Sequence, residues 1–261
     1  MKRGVATTSV GVIFHVPIVF YTVVYAAILF LTARYALSDV AYLAVAIAIL
    51  MIFSALVERS IARHFFFAIV PVVLSISSLA LLFFIDSSWQ RYIIIGVVTL
   101  LVYTVTLGVY RISKWSHDAV ARGMVIAGAT TAIFFSYAAT FAIYLNFIVP
   151  QWLVGVVIFG ITAIISWQYF VMIARGRFVQ TILYSAALSI VLMEVAMSAV
   201  LWPFGYLTTS VILLMIYYIL WDLGQSLFLE RLSKTRLIVN VIFFLGIGLM
   251  VLISAQWLPV V

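Results

Sequence analysis

The sequence predicts an all-α fold: a polytopic integral membrane bundle of about nine transmembrane helices, N-terminus inside and C-terminus outside. Three observations carry this. The 261 residues are 67% hydrophobic and only 8% charged, with a mean hydropathy of +1.33, whereas a soluble domain carries about 25% charged residues. The apolar residues fall in runs long enough to cross a bilayer, roughly 20 residues each. The positive charges alternate between links. Of the 14 Lys and Arg, 12 lie in the N-terminal stub and the even-numbered links, and only Arg34 and Arg91 lie in odd-numbered ones. That partition places the stub and the even links in the cytoplasm.

The first span is read as Val10–Arg34, preceded by Lys2 and Arg3. Its apolar run is too long for a signal-peptide core and has no small-residue cleavage site, so it is expected to be retained. The second, Val40–Val57, ends before Glu58, Arg59 and Arg63. The third is Phe65–Ile85 and the fourth Arg91–Tyr110, followed by the basic link with Arg111, Lys114 and Arg122. The fifth is Gly123–Phe147 and the sixth Trp152–Ala174, before Arg175 and Arg177. The seventh is Phe178–Leu201, the eighth Gly205–Phe228, and the ninth Leu237–Leu258, after Arg231, Lys234 and Arg236. Runs apolar on every side suit helices. A barrel strand would alternate every two residues. Trp89, Trp152, Trp202 and Trp257 fall at the outer ends, where an aromatic belt is expected. Pro17 and Pro71 lie inside spans one and three and are expected to kink them.

The links are short, so residues 1–261 are expected to form a single transmembrane domain with no soluble domain. Chemistry would then lie within the bundle or at its rim. The chain has no cysteine, which excludes disulfides, thiolate catalysis and Cys-type metal sites. It has no HExxH, Walker, GxSxG or dinucleotide motif, no Lys inside a span, and three scattered histidines. No metal and no cofactor are expected. The net charge of +7 is spread in twos and threes at span ends. That suits anionic lipid headgroups, not nucleic acid. The expected partners are the lipid bilayer and other membrane subunits, or a second copy. A prokaryotic plasma (inner) membrane is the expected location.

Intramembrane ionisable groups are where function is sought first. Glu194 stands alone in span seven, where a carboxylate costs at least about 2.5–3.5 kcal/mol. It is expected to point into the bundle as a proton- or cation-linked site, or as a neutral acid bonded to a hydroxyl or a partner subunit. In span eight, Tyr218, Asp222, Gln225 and Ser226 share a helical stripe. With Gln168 and Asn240 they are expected to form a polar vestibule at the cytoplasmic side. Gly128, Ala132, Ser136 and Thr140 recur every four residues, a spacing that lets helices approach closely. These features give a small permease or ion-coupled transporter as the leading expectation. A non-catalytic membrane subunit or scaffold is the alternative. A lipid-acting enzyme using Asp39 or Asp86 comes third.

Overall fold

A computed structural model describes residues 6–35, 40–62, 65–115, 118–173 and 177–228, and in addition 238, 239, 242, 246, 248, 249 and 253. The described residues form eight helices and no strands. They are α1 (Ala6–Tyr35), α2 (Val40–Ala62), α3 (Ile69–Phe83), α4 (Ser88–Lys114), α5 (Ala119–Asn146), α6 (Gln151–Ile173), α7 (Phe178–Ala199) and α8 (Tyr206–Phe228). All eight are long and apolar enough to cross a membrane, α3 together with the 3-10 turn Phe65–Ala68 that precedes it. The protein is a multi-pass helical membrane protein. Most of the ninth expected span, Asn240 and Trp257 included, lies outside the described residues.

The spans sit where the apolar runs put them, but two ends differ in a way that matters. α2 runs on through Glu58 and Arg59 to Ala62, because a Glu-Arg pair has no backbone feature that stops a helix. Pro71 does not kink a span: it is the third residue of α3, just after the 3-10 turn. A proline in a first turn removes an N–H that has no intrahelical acceptor. Pro17 does lie inside α1. Trp89 and Trp152 are exposed at the first turns of α4 and α6.

The chain divides into two compact units, Met1–Ala129 and Thr130–Val261, with the boundary inside α5. In the first unit α1 packs on α4 and α2 on α3. α4 and the start of α5 meet closely at Gly108, where a Cβ would lie 2.9 Å from Met124 Cβ and 3.0 Å from the Ala121 carbonyl oxygen. A Cβ at Gly128 would overlap a methyl of Val105. The α4–α5 link is closed by Asp118. Its Oδ1 accepts the backbone N–H groups of Val120 (3.0 Å) and Ala121 (3.1 Å), and its Oδ2 pairs with Arg111 at 2.6 Å. This is an N-cap with a cation at the end of the preceding helix. The Ala121 N–H, then Arg111, holds the Asp118 carboxyl below the usual carboxylate range.

In the second unit α7 packs on α6 and α8. Tyr137 and Thr162 share a buried hydrogen bond of 2.6 Å, and Gln151 Nε2 donates to the Met197 carbonyl at 2.7 Å. Many hydroxyls throughout the chain bond to their own helix. Thr22, Thr32, Ser136, Thr162, Ser185 and Ser210 each donate to the carbonyl four residues earlier, at 2.6–2.8 Å.

Candidate functional site

The residue that stands out structurally is one that hydropathy placed in a link. Glu58 is 0% exposed, four residues from the end of α2. At 1.5 Å per residue that is about 6 Å inside the helix end. Ser54 lies one turn earlier on the same helix, so the two side chains share a face. α2 turns this face toward three neighbours, because Ala46, Leu50, Ser54 and Glu58, spaced by four, are all buried.

The Thr106 hydroxyl of α4 donates to Glu58 Oε1 at 2.7 Å. Glu58 Oε2 is buried with no hydrogen-bond partner. A chain of hydroxyls lies beside it. Tyr21 of α1 donates to Ser54 at 3.2 Å, Ser54 and Ser75 of α3 are 3.1 Å apart, and Ser75 donates to the Pro71 carbonyl at 2.7 Å. Each hydroxyl has one proton. Since Ser75 spends its proton on Pro71, Ser54 must donate to Ser75. All three protons then run one way, from Tyr21 to Pro71. Tyr25, one turn along α1, is wholly buried, its hydroxyl beside Ser75 and Ser78 of α3. Four helices thus converge on a polar cluster in which Glu58 Oε2 is buried and unsatisfied. Such groups are rare in native interiors and point to a missing water, ion or catalytic role.

The cluster has no described cation in it, and Arg59, next to Glu58, is turned away, its guanidinium 4.6 Å from the centre of the Phe65 ring. An ionised carboxylate there lacks compensation, and burying an unpaired charge is expensive. Chemically, Glu58 can hold a proton or sit against a small cation. Among the described residues no group of three His, Asp or Glu converges as a metal site.

The residues expected from the sequence are distributed differently. Glu194 does not point inward: it is exposed on α7. An apolar run carries no inside-or-outside signal when lipid and core are both apolar, and the inner face of α7 is taken by other residues. Met193 and Met197 pack on Gly155 of α6. Ser198 donates to the Glu194 carbonyl, not to its carboxyl. Asp222 and Ser226 are buried, Gln225 is half-buried and Tyr218 is exposed at 43%, its ring tilted 34° to that of Trp221 at 5.9 Å. The stripe is therefore split between core and surface. Gln168 is buried, and the rings of its neighbour Tyr169 and of Trp221 lie 4.7 Å apart. Gln168 and Asp222 thus share a level in the second unit. Gly128, Ala132, Ser136 and Thr140 are all buried. Asp86 is exposed, and Asp39 lies outside the described residues.

Glu58 was legible in one respect only. Ser54 and Glu58 at a four-residue spacing, continuing Ala46 and Leu50, mark a polar step on an otherwise apolar face. Comparison with known proteins adds no functional assignment: no protein-family model, curated protein or solved structure matches the chain.

Proposed function

We propose that the protein is a small ion-coupled permease whose coupling carboxyl is Glu58. The carrying observation is a fully buried carboxyl, bonded through one oxygen only, at the meeting point of α1, α2, α3 and α4. A permease must couple a charge to a rearrangement of helices. A carboxyl in this position is neutral when it holds a proton and charged when it does not, and the charged form demands a cation or water. Loading and unloading it therefore favours different packings of the four helices. The hydroxyl chain adds to this, because turning the protons so that Ser75 donates to Ser54 and Ser54 to Tyr21 gives it a second state, at the cost of the Ser75 bond to the Pro71 carbonyl. Asp222 of α8 supports the reading in the second unit, as a second buried carboxyl about six residues from its helix end.

The test uses the whole chain in lipid vesicles under an imposed pH gradient or an inward sodium gradient, read by a pH-sensitive dye and by radioactive sodium. Wild-type vesicles dissipate one of the gradients and Glu58→Gln vesicles do not, while Asp86→Asn vesicles behave as wild type. Wild-type vesicles as tight as empty ones, or Glu58→Gln vesicles as leaky as wild type, would overturn the assignment. The exposure of Glu194 favours a second reading, a membrane subunit that docks another chain, since no described residue hydrogen-bonds this carboxyl on an exposed helix face.

A further inference from the structure

We infer that a second copy of this chain docks along α7, with the two Glu194 carboxyls facing each other across a two-fold axis. This rests on the exposed face of α7 and not on Glu58. Val179, Leu183, Ala187, Val191 and Glu194 are all exposed, and Ser198 extends the row. Their spacing of three or four residues makes one continuous stripe. The opposite face is occupied: Leu188, Leu192, Ala196 and Ala199 are buried, and α6 and α8 cover them. Glu194 lies five residues from the end of α7, about 7.5 Å along the axis, and sixteen from its start, about 24 Å. No described residue hydrogen-bonds its carboxyl. Lipid tails offer a carboxyl no hydrogen-bond partner, and a charged one costs about 2.5–3.5 kcal/mol at the centre of a span.

The membrane itself selects the occupant. Two copies inserted with the same topology place the same residue at the same depth. A two-fold axis along the bilayer normal then brings Glu194 to Glu194 with no further adjustment. A carboxylic acid is self-complementary, since each O–H can donate to the other's C=O, so two neutral acids satisfy both groups at once. A different partner would need a polar group matched to this depth by chance. Arg91, in the first turn of α4, is folded back onto the Ile85 carbonyl within its own unit.

The absence of cysteine from the chain makes the test clean. Purified protein with a single cysteine at Ala187, Val191 or Ser198 is reconstituted at low protein-to-lipid ratio and oxidised. A disulfide needs Cβ atoms about 3.5–4.5 Å apart, so only copies meeting along α7 cross-link. Leu100→Cys, exposed on α4, reports random collision. The expected result is cross-linking at two or more α7 positions, at least tenfold faster than at Leu100. Two-step photobleaching of the labelled protein should agree. Glu194→Gln keeps the dimer, because paired amides are also self-complementary. Glu194→Leu raises the dissociation constant about tenfold, the worth of an interhelical hydrogen-bonded pair in lipid. A monomer, or cross-linking no faster than at Leu100, overturns the interface. Equal dissociation of wild type and Glu194→Leu overturns the carboxyl pairing.

Discussion

Replacing Gly108 by Ala should weaken the α4–α5 contact, and the size of the effect follows from three distances. The added Cβ would lie 2.9 Å from Met124 Cβ, 3.0 Å from the Ala121 carbonyl oxygen and 3.2 Å from Val125 Cγ2, against 3.4 Å for an ordinary contact. The first two neighbours are the root of a side chain and the backbone of α5, so neither can rotate away. The helices must separate by about half an ångström, and a gap of about 0.5–1 Å already forfeits a quarter to a half of a dispersion contact. Overpacking of this kind costs about 1–3 kcal/mol. Against it stands the gain of about 0.8–1 kcal/mol when Ala replaces Gly inside a helix. Gly96 isolates the second effect: it lies on the same helix, exposed, with nothing within 4 Å of a Cβ built there. Gly108→Ala should therefore unfold more readily than Gly96→Ala by about 1–3 kcal/mol, read by denaturation in bicelles. Equal stability of the two variants would show that α4 and α5 are not held at this distance.

Three other outcomes are expected. Thr162 spends its proton on the Ile158 carbonyl, so Tyr137 donates to Thr162; Thr162→Val strands a buried phenol and should cost about 1–3 kcal/mol, Tyr137→Phe only about 0.5–1.5, in the same bicelle assay. Thr106→Val removes the hydrogen bond to Glu58 and should destabilise the protein more than Thr106→Val combined with Glu58→Leu, because the double variant takes both Glu58 oxygens out of the interior; a double-mutant cycle checks it. The Asp118 carboxyl titrates below its ordinary value, so its stabilising effect is complete above the unfolded-state value and is lost as pH falls through the folded one. Melting curves of wild type and Asp118→Ala should differ at neutral pH and converge on the acid side, below about pH 4.

What could be read from the chain divides along physical lines. Span position was legible because a bilayer demands long apolar runs, and α6, α7 and α8 coincide with theirs almost to the residue. Facing was not, since a helix that meets lipid on one side and protein on the other has no polar side to betray it. Glu194 shows the consequence: expected to point into the bundle, it is exposed on α7. Glu58 shows the converse. Its neighbours Arg59 and Arg63 marked the end of a hydropathic span, yet the backbone continued and drew Glu58 inside. Asp222 was read with its stripe, of which the core takes Asp222 and Ser226 and leaves Tyr218 at the surface.

The hydroxyls that bond back to their own helices bear on how the chain is assembled during synthesis. Ser185 and Ser189 of α7 are satisfied four residues upstream and need no neighbour when that helix meets the bilayer, whereas the Tyr184 hydroxyl of the same helix finds its acceptor, the Leu220 carbonyl, only when α8 is made. α2 is in the same position, because the donor for Glu58 is Thr106 on α4, 48 residues later in the chain; each helix gains a polar partner only once a later one has been made.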